Sequence, residues 1–210
     1  MARKSVLTKE QIVECAFDLC VKEGVSNSTI RNIASQLNTS TAPIYTQYPN
    51  RGMILSDLDD YISKKLFEHM QVPYTVSSFL NIGIGIIKFT LNHRRLVSEF
   101  YFTLNRLSFD FTNISDELIE QMKRDQLLAL LEDERLKSLL NDMRIYTYGL
   151  IAMICTETTR HYDLDYYRNL LERVGDKLIS YHLVETGHLE TCQQLFKENK
   201  DKYDENNRRD

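Results

Sequence analysis

Apolar residues recur at helical spacing almost from the start of the chain. Ile12, Ala16 and Leu19 fall on one line, and Val13, Phe17 and Cys20 lie beside it, which predicts a first helix. Thr8 and Gln11 have the spacing of a capping box, in which each side chain satisfies an orphan amide at the helix start. Gly24 is expected to close this helix as a left-handed C-cap. Ile30, Ile33, Ala34 and Leu37 form the inner face of a second helix, with Ser28 as its expected N-cap. Asn38 tolerates the left-handed conformation that a tight turn needs. Ser40 is expected to cap a third, very short helix, with Ile44 and Tyr48 facing inward. Pro43 falls in the first turn of that helix, where its missing N–H has no partner to lose, and Pro49 stops it. Asn50 then caps a long amphipathic helix through Ile54, Leu58, Tyr61, Ile62 and Leu66 to about Met70.

Beyond Pro73 the pattern reads as continuous helix, in segments near 75–91, 94–107, 116–131, 134–159 and 163–186. Composition agrees with this. Only 7 glycines and 3 prolines stand among 210 residues, and no proline follows position 73, which excludes sandwiches, barrels and loop-rich scaffolds. The fold class is therefore all-α. The expected domains are a helical head over 1–50 and a helical body over 51–190, with 51–70 a connecting helix. The polar tail 191–210 is expected to be disordered.

Ser28 to Gln47 packs helix, tight turn and helix into one short stretch, the layout of a helix-turn-helix whose second helix enters a major groove. The outer face there has matching chemistry. Hydroxyls and backbone amides at Thr39, Ser40 and Thr41 suit phosphate oxygens, and Tyr45 and Thr46 add further hydroxyls. Gln47 can bond adenine through two atoms, and the Thr41 or Ala42 methyl can touch a thymine methyl. Ser28, Thr29, Arg31 and Arg51 complete the expected contact set, with Arg3 and Lys4 in the arm ahead of it. The formal net charge is −4, but residues 1–51 hold six Lys or Arg against four acids, a weakly basic head on an acidic body.

Other chemistry is sparse. Cys15, Cys20, Cys155 and Cys192 have no C-x-x-C spacing and read as free thiols. The N-terminus lacks the apolar core of a signal peptide, and Leu80–Phe89 and Leu150–Cys155 are too short to span a bilayer, so no membrane partner and a cytoplasmic location are expected. Gly83 and Gly85 lack the third glycine of a dinucleotide loop, and the histidines are scattered. No enzyme, cofactor or metal site is expected. A helical adaptor without DNA binding is the alternative, and a helical enzyme comes behind it.

Residues 8–55 resemble the DNA-binding region of the tetracycline-repressor (TetR) family of bacterial regulators. The matching features are the helix closed by Gly24, the S-T-I-R-N-I-A run at 28–34, the Ile44-Tyr45 pair, and Y-P-N-R at 48–51 leading into a long fourth helix. Many members have Gly where this chain has Asn38, and Lys-Gly where it has Thr41-Ala42 followed by Pro43. The operator sequence therefore does not carry over. The resemblance implies a homodimeric, ligand-responsive regulator of a pseudo-palindromic double-stranded DNA site, most simply a repressor released by a small-molecule effector. Phe79, Phe100, Tyr101, Arg144 and Tyr148 are candidate pocket residues. Gly149 and Gly175 lie inside long helices, where glycine is unfavourable, which suggests a close helix approach. Together with Tyr167, Leu171, Val174 and Leu178 they are the candidate dimer interface, a bundle of two helices from each subunit.

Overall fold

Most of the expected helices form, but the 116–131 segment breaks after Met122 and the 94–107 segment gives way to a π-helical turn at Glu99. The computed structural model describes residues 7–104, 115–156 and 162–188, together with Glu190, Thr191 and Gln193. Among them the order is α1 (Lys9–Glu23), a 3₁₀ turn (Val25–Asn27), α2 (Ile30–Gln36), α3 (Ala42–Gln47), α4 (Arg51–Met70), α5 (Ser78–Asn92) and α6 (Arg94–Ser98). A π-helical turn (Glu99–Thr103) follows, then α7 (Ser115–Met122), a second 3₁₀ turn (Leu128–Leu130), α8 (Asp133–Cys155) and α9 (Leu164–Glu185). The described residues contain no strand, and the fold is all-α. Arg3, Lys4, Cys192 and most of the 191–210 tail lie outside the described residues, as do 105–107 at the end of the expected 94–107 segment and 157–159 at the end of the expected 134–159 segment.

Two compact units share the chain. The first comprises Met1–Val72, Gly85–Phe109 and Ile151–His161, and the second comprises Pro73–Ile84, Asp110–Leu150 and Tyr162–Asp210. The connecting helix α4 belongs wholly to the first, so the division does not fall at the expected 50/51 boundary.

In the first unit α1 packs on α2, α4 and α6. Ile12, Ala16, Cys20, Ile33, Ile44, Tyr48, Ile54, Leu58 and Ile62 have no exposed surface beyond a trace and form its core. Phe17 meets Tyr61 and His93 edge-on, and Phe89 packs against both His69 and His93. Gly85 is a close-approach site, because a Cβ there would sit 2.6 Å from the His69 carbonyl carbon and 2.7 Å from the Met70 nitrogen. Burial pushes the Cys15 and Cys155 thiols up to about 11, so both stay protonated and inert at neutral pH.

The second unit is fastened at the start of α5. Asp125 accepts from the Ser78 and Phe79 amides at 2.7 and 3.0 Å and from the Ser77 hydroxyl at 2.8 Å, capping a helix whose first residue lies 47 positions away. Leu118, Met122, Leu136, Leu139, Tyr167, Leu171 and Leu183 fill its interior. Gly83 lets Leu171 press onto α5, since a Cβ would lie 3.1 Å from the leucine methyl carbon. Arg135 pairs with Glu185 at 3.0 Å, placing the start of α8 beside the end of α9, so the two run antiparallel.

His182 is an oddity of this interior. It is 2% exposed, and neither ring nitrogen has a hydrogen-bond partner among the described residues. Burial, helped by Arg135, lowers its pKa, so the native state holds the imidazole neutral. The unfolded chain takes up a proton more readily, and stability is therefore complete above the ordinary imidazole range and lost as pH falls below about 6.5. His93, half-buried beside His69, is shifted the same way. Denaturation of wild type and His182→Leu between pH 8 and pH 5 should show a shallower acid loss in the variant; equal slopes would show that the ring is not held neutral.

Candidate nucleic-acid interface

The head is built by caps and a left-handed turn. The Thr8–Gln11 box forms, with bonds of 3.0 and 3.3 Å. Asn38 takes φ 51°, turning the chain between α2 and α3, and the Thr39 amide donates back to the Ala34 carbonyl at 2.9 Å. Asn50 caps α4 through the Met53 amide at 3.1 Å. Tyr48 is fully buried, donates to Asp57 at 2.7 Å, and has the Lys9 ammonium 5.0 Å above its ring. Lys9 thus stands at the head's surface, a cation missed because it lies ahead of the helix-turn-helix.

Three cap assignments differ. Thr29, not Ser28, caps α2, accepting from the Asn32 amide at 3.1 Å. Two adjacent hydroxyls made either choice consistent with spacing, and only the backbone angles separate them. Ser40 caps nothing: the N-cap of α3 is Thr41, which makes no side-chain cap bond. Gly24 has φ 90° and ψ 164°, an extended positive-φ geometry and not the left-handed helical one.

The expected contact residues separate by exposure. Arg31, Ser40, Ala42, Tyr45 and Thr46 are exposed, Tyr45 at 53%, and Thr29, Thr39 and Thr41 are half-buried. Ser28 is fully buried, its hydroxyl donating to the Val25 carbonyl at 2.8 Å, so it cannot face a ligand. Arg51 turns inward: its Nε donates to the Ser28 carbonyl at 2.9 Å and its Nη2 to the Val25 carbonyl and the Ser28 hydroxyl. A cation read as surface-facing is thus a structural tie, which adds donors to the carbonyls of the loop before α2. Gln47 is half-buried and spends its amide N–H on the Leu7 carbonyl at 3.3 Å, and the Thr46 hydroxyl donates to Ala42 at 3.0 Å. What remains outward is a short face of hydroxyls, one phenol and a methyl, with Arg31 nearby.

The other two candidate sets also change. Phe100 has no exposed surface, so it fronts no water-sized void and is packed core. Phe79, Arg144 and Tyr148 belong to the second unit, and Phe100 and Tyr101 to the first. Tyr167, Leu171 and Gly175 are buried inside their own unit and are not available to a second copy. Gly175 is approached by nothing nearer than Phe79 at 3.8 Å, and Gly149 by nothing within 4 Å, so neither marks a close helix contact within the chain. The mid-helix glycines that are crowded are Gly83 and Gly85, whose significance is packing. Among the described residues no three His, Cys, Asp or Glu side chains gather as a metal site requires, and no helix is long and apolar enough to cross a membrane.

No family model matches the chain. It is similar to an HTH-type transcriptional regulator of Staphylococcus aureus (strain MRSA252), 22% identical over 196 residues, which covers 82% of this chain and 99% of that protein. It also shares its fold with the crystal structure of Mycobacterium smegmatis BioQ, at a TM-score of 0.54 and 18% sequence identity, covering 83% of this chain and 98% of that one. The fold class is thus an all-α chain with an N-terminal helix-turn-helix.

The cap assignments are testable. Thr29→Ala should lower stability by about 0.5–2 kcal/mol, whereas Ser40→Ala should stay within about 0.5 kcal/mol of wild type. Thermal melts of the two variants that rank the other way would return the cap to Ser40.

Proposed function

We propose that the chain is a sequence-specific DNA-binding transcriptional regulator. The observation that carries this is the outward face of α3: a six-residue helix whose inner residues Ile44 and Tyr48 are fully buried while Ala42, Tyr45 and Thr46 stand in solvent. A helix this short, with a proline in its first turn, has little value as a structural brace, but it suits a groove. The name of the S. aureus relative supports the same reading, as does the resemblance of residues 8–55 to the TetR family. The role is binding and not catalysis.

The regulator acts as a homodimer in this reading, since a helix-turn-helix of this kind reads two half-sites. With Tyr167, Leu171 and Gly175 buried, the second copy packs instead on the exposed stripe of α8 and α9: Ile145 (60% exposed), Gly149, Tyr181 (56%) and Val184 (45%), with half-exposed Val174 and Leu178 between. Exposed large apolar side chains in such a row signal a contact surface. The resemblance adds a repressor released by a small molecule. Phe100 drops out of the expected pocket, and Phe79, Arg144 and Tyr148 are the candidates that share one unit. A ligand preferring one position of the 20-residue helix α4 by 1–3 kcal/mol would change DNA affinity by about 5–150-fold.

Selecting bound fragments from genomic DNA should return a pseudo-palindrome whose half-sites lie about 34–36 Å apart, bound by a species of twice the chain mass. Binding without sequence preference, or a monomer on one site, would sink the reading; monomers that appear only in Ile145→Glu with Tyr181→Glu would place the interface. Tyr45→Phe should weaken binding to the selected site by about 0.5–1.5 kcal/mol and leave the melting temperature unchanged. A large drop in melting temperature with affinity intact would put Tyr45 in the core.

A further inference from the structure

The link between α1 and α2, Gly24–Ser28, is gripped from two sides. Val25 is 5% exposed. Its amide donates to Glu99 Oε2 at 2.5 Å, and its carbonyl accepts from Arg51 Nη2. Arg51 is the first residue of α4, and Glu99 opens the π turn that follows α6. Two charged side chains, 26 and 74 positions away along the chain, thus hold opposite ends of one buried residue. Arg95, one turn earlier on α6, pairs with the other Glu99 oxygen at 2.9 Å and fixes the carboxylate in place.

Gly24 completes the fit. A Cβ at that position would lie 2.7 Å from both Arg95 Cζ and Glu99 Oε1. The glycine that ends α1 therefore also leaves room for a carboxylate and a guanidinium from α6 to reach the link. A hydrogen bond to a charged acceptor is the stronger kind, and a π turn is a costly irregularity that tends to mark functional positions. Glu99 lies far outside the helix-turn-helix and touches none of the outward face of α3. It acts on the element that sets how α2 and α3 leave α1.

We propose that Glu99 is a positioning residue for DNA binding: by holding the Val25 amide it fixes the orientation of the α2–α3 pair, and the α6–π-turn segment thereby controls the affinity of the head. This rests on the DNA-binding reading above.

The test compares Glu99→Ala, Glu99→Gln and Arg95→Ala in the full chain. It measures the amide hydrogen exchange rate of Val25, the melting temperature, and affinity for the DNA selected by the wild type, all well below the melting midpoint. Glu99→Ala should exchange Val25 faster and bind that DNA about tenfold more weakly. Glu99→Gln keeps an oxygen acceptor and should recover most of both. Arg95→Ala, which leaves the Val25 bond in place, should fall between. A merely structural role would lower the melting temperature of Glu99→Ala while folded protein bound DNA as wild type does, and that result overturns the proposal. So does equal loss of binding in the Ala and Gln variants with Val25 exchange unchanged. If wild type selects no DNA, the functional reading fails and takes the DNA role of Glu99 with it, while the exchange rates still decide whether the grip on Val25 exists.

Discussion

Helices of seven and six residues, the lengths of α2 and α3, do not hold themselves together in water. Isolated helices below about 12–15 residues are marginal even with favourable composition. Their shape is supplied from outside: Ile33 and Ile44 are fully enclosed by a core that α1 and α4 provide, and α1 packs on both α2 and α4. Every property of the outward face, including the exposure of Tyr45, follows from how firmly those two longer helices hold the short pair. That makes the link between α1 and α2 a control point in the first unit, and it is where Arg51 and Glu99 converge.

Much of the charge around the head is already engaged within the first unit. Arg51 satisfies the Val25 and Ser28 carbonyls, Arg95 neutralises Glu99, and Lys9 rests above the Tyr48 ring. Little formal charge is left on the α3 face itself. Recognition by hydroxyls and methyls depends on geometry more than recognition by point charges does, because a neutral hydrogen bond fades quickly with misalignment. A head of this kind gains more from a fixed orientation than a lysine-rich one would.

Local features were readable from the chain. The α1 box at Thr8 and Gln11, the turn at Asn38, the cap at Asn50 and the span of α4 follow from spacing within one or two turns, and the structure has them. The inward Ile44 and Tyr48 and outward Tyr45 follow from the same period. What periodicity cannot carry is a relation between distant segments. Asp125 caps α5 from 47 residues away, and Glu99 reaches Val25 across 74. Nothing near either carboxylate marks its partner. The glycines show the same division: Gly149 and Gly175 drew notice for sitting mid-helix, yet Gly85 is the one against a neighbouring backbone. A related ambiguity holds for Arg51 and Ser28, since a polar residue at a helix start looks alike whether it faces solvent or a neighbouring carbonyl.

The interleaving of the two units has a consequence for how the protein is made. The first unit draws on Met1–Val72, Gly85–Phe109 and Ile151–His161, with stretches of the second between them. A chain emerging from the ribosome has the helix-turn-helix in hand early, but Glu99 arrives much later and the closing segment of α8 later still. Loop-closure entropy must be met before such distant contacts contribute. During synthesis, then, the head waits with the Val25 amide unheld by Glu99, and the nascent N-terminal segment lacks one tie of the finished protein.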